Sequence, residues 1–369
     1  MGTPSPTAAV LVQLRSRPKD KAAAVAALGA LARSGSLVLP VLLPKDLATL
    51  HKLAHDSTKK DMWDDAAAVL ALAVCCILKT DGVSGKNRDA ACQLLRKHAF
   101  QLGFEGRDSA QLAPAVPLLI ALLQAEDAAT GVMGKREAAG SLMNLAWKSS
   151  EHAGAMVDGM RALIALLQNS AETATLENAA GAVLNILSHG DATANAIAIE
   201  AGIVSAVTTT LLAAGKNKWN RFAAKILGCL PSPTRNQSDA AAICVAVLAA
   251  GTLGPLCELA TAPASSDAAR ETQCCVLRAL GGIAHAEHAA GPEGGRVLRE
   301  DQLPRLAARL AFQGTLEALV GHIAPTTKPD LRAAAAACLE GIAASPKATV
   351  GTSGAIFDCF LADVQLILY

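Results

Sequence analysis

The sequence predicts an all-α chain folded as a right-handed α-solenoid, a superhelix of stacked three-helix repeats. Three features lead there. The chain repeats itself: Gly159-Met160-Arg161-Ala162-Leu163-Ile164-Ala165-Leu166-Leu167-Gln168 echoes Pro117-Leu118-Leu119-Ile120-Ala121-Leu122-Leu123-Gln124, with the two glutamines 44 positions apart. Glu137-Ala138-Ala139-Gly140-Ser141-Leu142-Met143-Asn144-Leu145 is echoed by Asn178-Ala179-Ala180-Gly181-Ala182-Val183-Leu184-Asn185-Ile186, with the asparagines 41 apart. A helical period of about 40–47 residues belongs to solenoids, whose units bury their apolar faces only against each other. The second feature is composition. The chain is 52% hydrophobic but only 3% aromatic, so its core is aliphatic and alanine-rich, which suits closely packed helices. The third is a set of glycine corners between helix-length apolar segments, because glycine tolerates φ > 0 without a Cβ clash.

Taken in order, residues 1–35 form an N-terminal segment and capping helix, since terminal repeats are commonly atypical. The repeat array spans 36–345. Asp64–Leu78 is an early copy, and Arg88–Ala99 aligns with the helix beginning at Arg136 at an offset of 48. The pattern is clearest over 110–230. There Ser150–Val157 is a first helix, Asp158-Gly159 a corner, Met160–Gln168 a second helix and Glu177–Leu187 a third. In the next unit Asp191 caps Ala192–Glu200. Glu200-Ala201-Gly202-Ile203 turns the chain, Val204–Leu212 follows, Ala213–Asn217 breaks it, and Trp219–Leu230 runs to Pro231-Ser232-Pro233. Arg270–Leu280 matches the Glu177 helix at an offset of 93, which requires insertions at Pro231–Asp239 and Thr261–Asp267. Leu331–Ala343 is the last third helix. Residues 346–369 are a C-terminal apolar tail or cap, whose Ile356–Leu361 either folds back or docks a partner, self-association included.

Composition excludes several classes. Thirty-three basic and 32 acidic residues leave a formal charge of +1, which offers nucleic acid no footprint. Ten cysteines occur without a C-x-x-C, and Cys75-Cys76 and Cys274-Cys275 sit inside apolar helices. They read as small core residues in a reducing compartment, the cytoplasm or the nucleus. No signal peptide is expected, because the N-terminus has prolines and no apolar h-region. A myristoylation signal would want Ser or Thr where Pro6 stands. No transmembrane segment is expected either. Ala66–Leu78 is too short, and Ala240–Cys257 is broken by Gly251, Gly254 and Pro255 into a helix-turn-helix corner.

The order of a short helix, an acidic-Ala-Gly or acidic-Gly corner, an Ile/Met-led second helix and the Glu177–Ile186 type of third helix resembles the armadillo repeat family. HEAT repeats have two helices and lack this corner. The resemblance implies that the third helices line a concave surface. Members that bind extended peptides there, such as importin-alpha, carry a ladder of Trp and Asn four residues apart. Their rings make slots for aliphatic stems, and their amides bond the peptide backbone.

On that pattern the Asn rung carries Arg96, Asn144, Asn185, Gly228 and Arg278. The Trp rung carries Cys92, Gly140, Gly181, Ala224 and Cys274, all small. The missing rings argue against importin-like recognition of nuclear localisation signals, and small residues there are expected to deepen the groove. Further along the same face lie Trp147 and Lys148, then Ser188 and His189. The candidate partner-binding residues are therefore Arg96, Asn144, Trp147, Lys148, Asn185, His189 and Arg278. Asn144 and Asn185 are expected to bond a partner's main chain, and Arg96, Arg278 and Lys148 to favour its acidic groups.

Catalytic chemistry finds no foothold. His51 and His55 lie one turn apart, but Lys52 stands where a metalloprotease motif needs Glu. His285-Ala286-Glu287-His288 borders a Gly/Pro stretch, Ala289–Gly295, expected to be a loop. Gly291–Arg296 lacks the G-K-[ST] ending of a phosphate loop. No cofactor, metal or catalytic residue is expected. The function predicted is a non-enzymatic scaffold or adaptor that binds a peptide or helix of a partner protein. A nuclear import adaptor and a regulatory subunit of an enzyme complex are the alternatives.

Overall fold

The computed structural model describes residues 63–79, 85–105, 109–125, 132–147, 149–189, 192–230, 237–264, 266–294, 315–323 and 327–343, with the single positions Ala24, Ala27, Thr49 and Lys52. Among them there is no strand. The chain divides into two compact units, Met1–Gly190 and Asp191–Tyr369. His51 and His55, Lys148 and the Ile356–Leu361 tail lie outside the described residues.

The first unit runs α1 (Trp63–Lys79), α2 (Gly85–Glu105), a 3-10 turn (Ala110–Ala115), α3 (Val116–Gln124), α4 (Val132–Ala146), α5 (Ser150–Ala155), a second 3-10 turn (Val157–Gly159), α6 (Met160–Asn169) and α7 (Thr173–His189). Local chemistry sets several boundaries. Pro117 stands in the first turn of α3, where a missing N–H costs nothing. Ser149 caps α5, its Oγ accepting from His152 N at 3.2 Å. The Asp158-Gly159 corner is a 3-10 turn with Gly159 at φ −81°, so backbone handedness does not explain this glycine. Close approach does: a Cβ there would lie 3.0 Å from Ile120 Cγ1 on α3.

The third helices α2, α4 and α7 lie side by side with α4 in the middle. Alanines make this possible: Ala138, Ala139, Ala179, Ala180 and Ala182 are fully buried. Leu95, Leu102, Leu119, Leu142 and Leu163 fill the layer between them and the outer helices. Each fully buried leucine contributes about 1.5–3 kcal/mol relative to an exposed one.

The second unit runs α8 (Ala192–Glu200), α9 (Ile203–Ala206) continued by a π-helical turn (Val207–Leu212), α10 (Asn217–Cys229), α11 (Gln237–Ala249), α12 (Leu253–Thr261), α13 (Asp267–Gly294), α14 (Thr315–Ile323) and α15 (Pro329–Ala343). Gly202 and Gly251 turn their corners in the left-handed region, at φ +79° and +65°. They bend the α8–α9 pair by 66° and the α11–α12 pair by 81°. Among the described residues no single helix is long and apolar enough to cross a membrane. Asn195 on α8 is fully buried and donates to Leu230 O at 2.8 Å and Cys229 O at 3.3 Å, closing the end of α10. Thr208 and Thr252 share a 2.7 Å hydroxyl bond beside the π turn.

Here too the third helices, α10, α13 and α15, are neighbours in sequence order. A Cβ on Gly281 of α13 would lie 2.9 Å from Cys338 Cα of α15. The Gly/Pro stretch expected to be a loop instead continues α13 to Gly294. Glycine and proline lower helix propensity, but the preceding turns carry the helix onward.

A groove on the third helices of the first unit

The face made by α2, α4 and α7 contains a cleft of about 620 Å³. Arg96, Lys97 and Phe100 of α2, Arg136, Glu137, Met143 and Asn144 of α4, and Glu177 and Asn178 of α7 line it. Hydrogen bonds join α2 to α4 at offsets of 48 and 49, and α4 to α7 at 42.

Side chains fasten these helices to one another through backbone carbonyls. Ser141 Oγ donates to Cys92 O at 3.1 Å, and Asn144 Nδ2 to Arg96 O at 2.9 Å. Asn178 Nδ2 donates to Arg136 O at 3.0 Å, and Asn185 Nδ2 to Met143 O at 2.8 Å. A helical carbonyl has a second lone pair available, so the donors cost the receiving helix nothing. Asn144 and Asn185 thus spend one N–H on the neighbouring repeat.

Charge runs across the face in a chain. Glu137, 2% exposed, lies between two guanidiniums: Arg96 Nε is 2.6 Å from its Oε2, and Arg136 Nη2 is 3.0 Å from its Oε1. Arg136 also reaches Glu172 at 2.6 Å. The Thr175 hydroxyl, then Arg136, hold the Glu172 carboxyl below its ordinary range. Glu172 in turn holds the Arg136 guanidinium more firmly protonated. On α2, burial and then the Glu137 charge raise the Asp89 carboxyl above its ordinary value.

The glycine rung differs from expectation. Gly140 does not deepen the groove, because its space is filled. A Cβ there would collide with Arg96 Cδ and lie 2.8 Å from Asn178 Nδ2. The Arg96 stem crosses the helix where the ladder carries its small residue.

Trp147 is half-buried at the end of α4, its ring over Gly103. It stacks on Phe100 at 6.4 Å and 13°, and Phe100 stacks on Phe104 at 6.3 Å and 18°. Phe100 is 49% and Phe104 71% exposed. The sequence reading passed over both, although they follow Arg96 at helical spacing. His189 is exposed at the end of α7. Arg278 is exposed on α13, in the second unit.

The thiols on the third helices are not poised for chemistry. Burial, reinforced by Asp89 and Glu137, pushes Cys92 up to about 12. Burial and the nearby Cys257 push Cys338 to about 12. Neither supplies thiolate near neutral pH. Among the described residues no group of three His, Cys, Asp or Glu is arranged to hold a metal.

No protein-family model matches this chain, and no curated protein does. Solved structures do. Designed armadillo repeat protein YIII(Dq)4CqI is 20% identical with a TM-score of 0.51, covering 73% of this chain and 98% of its own. An engineered protein of the Northeast Structural Genomics Consortium is 21% identical with a TM-score of 0.51, covering 90% of this chain and 88% of its own. The fold is of the armadillo repeat type.

Proposed function

We propose that this armadillo-type array is a non-enzymatic interaction scaffold that holds a peptide or helix of a partner protein along the α2–α4–α7 face. One observation carries the reading. Phe100 lines the cleft with Phe104 and Trp147 stacked near-parallel on either side of it, and two of the three rings are substantially exposed. Aromatic rings left to solvent cost free energy that a partner's apolar side chains recover, and such rings commonly dominate interface energy. Asn144 and Asn185, each with a further N–H and an amide oxygen, bond the partner's main chain. Lys97, which lines the cleft, attracts its carboxylates, and Lys148 and His189 are assigned the same part. Arg278 plays the same part on the second unit. Cysteines used as core residues support a reducing compartment, the cytoplasm or the nucleus.

The test is a quantitative pull-down from source lysate comparing wild type with Phe100→Ala/Phe104→Ala. Both rings are exposed, so helical circular dichroism should not change. Partners lost only from the variant support the reading. An unchanged partner set moves the function off this face.

A further inference from the structure

We infer that Arg96 is a resident cation, occupying a guanidinium slot on the groove and thereby setting the groove against basic segments. The inference rests on the reading of the α2–α4–α7 face as the binding surface. Three observations meet at one place. The slot exists because residue 140 has no side chain, and the Arg96 stem lies in it. Its floor is a carboxylate, Glu137, 2% exposed and 2.6 Å from Arg96 Nε. The other carboxylate oxygen, Oε1, is held from α4 itself by Arg136 Nη2 at 3.0 Å, which leaves Oε2 to Arg96. A buried carboxylate requires a cation, and a flat guanidinium on an aliphatic stem suits a slot walled by helix backbone and the Asn178 amide. The chain supplies two, Arg136 from the same helix and Arg96 from the helix before, and Arg96 is the one that fills the slot.

The consequence is selectivity. A partner's arginine could reach Glu137 only by displacing Arg96, leaving one guanidinium unpaired in the groove. With Arg96 in place, Lys97 is the exposed cation of the cleft. Basic segments are therefore repelled and acidic ones tolerated, which is specificity obtained by obstruction.

The probe is a fluorescent octa-arginine peptide titrated at about 0.15 M salt, where long-range attraction is screened. Wild type, Arg96→Ala, Lys97→Ala and Arg96→Ala/Glu137→Gln are compared. Lys97→Ala removes the same charge from the neighbouring position without opening the slot. The expected result is weak binding by wild type and at most a few-fold gain by Lys97→Ala, which removes a repelling charge but leaves the slot closed. Arg96→Ala gains at least about tenfold, and Glu137→Gln abolishes the gain. A folded Arg96→Ala that binds no tighter than Lys97→Ala overturns the inference, as does tight binding by wild type.

A second readout needs no peptide and keeps the test sound if Arg96→Ala folds poorly. Methylguanidinium at millimolar concentration should raise the Tm of Arg96→Ala but not of wild type or the double variant, because a ligand of the native state stabilises it. No selective rise overturns the slot. Methylguanidinium rescue alongside an unchanged partner set in the Phe100/Phe104 test would leave the slot standing and defeat only the docking reading.

Discussion

At the scale of the residue, polar side chains on the third helices act first on the neighbouring repeat. Asn144, 9% exposed, bonds the Arg96 carbonyl. Asn144→Ala removes that bond and leaves a polar backbone edge with a hole beside it. The expected loss is about 1–2 kcal/mol, read as a lower urea midpoint with an unchanged slope. Ion pairs behave differently. Glu172 and Glu271 both have depressed carboxyls: Glu172 through Thr175 and then Arg136, Glu271 through Lys225 and then Arg221. A depressed folded value means stability that is complete above the ordinary carboxylate value of 4.5 and is lost as pH falls through the lower folded value. Glu172→Gln should therefore narrow the stability difference between neutral and strongly acidic pH, with wild type showing the larger fall. An unchanged acid limb would show that the exposed pair contributes nothing, as many such pairs do.

At the scale of the element, glycines divide by what surrounds them. Gly202 sits at φ +79° in the corner between α8 and α9. Gly202→Ala should cost about 1–2 kcal/mol, the penalty of a Cβ in the left-handed region. Gly281 is helical, and a Cβ there meets backbone, Cys338 Cα at 2.9 Å. Gly281→Ala must push α13 from α15 and should cost at least about 1–3 kcal/mol. Gly321 on α14 has nothing within 4 Å. Gly321→Ala should be neutral or stabilising by up to about 1 kcal/mol. Thermal denaturation of the three variants checks the ranking, and a destabilised Gly321→Ala would break it.

At the scale of the whole molecule, the chain is two compact units of stacked repeats. Within such a stack each repeat touches only its neighbours, so damage stays local. In the second unit, Gly281→Ala should raise amide exchange most in α13 and α15, the helices it separates, and less in α8 and α9. Uniform loss of protection across that unit would mean that it opens only as one cooperative body.

Helix-scale order was legible in the residues. Ala192–Glu200, its glycine corner and the following helix are where apolar spacing and Gly202 place them. Such signals are local: propensity, caps and a forbidden Cβ act within a turn or two. The spacing between neighbouring third helices was legible too, since repetition at 41 to 48 positions comes close to the offsets of 42 to 49 at which hydrogen bonds join them. The fate of the side chains on those rungs depended on partners distant in sequence. Gly140 carries no room for a ligand because Arg96, 44 residues earlier, fills it. Asn144 donates to the carbonyl of residue 96, and Glu137 is buried between two arginines. Phe100 and Phe104 became a shelf only when Trp147 stacked beside them. A repeat pattern specifies where helices lie, because backbone geometry is short-ranged. Which groups are left for a partner is decided when neighbouring helices close to contact and bury or spend the rest.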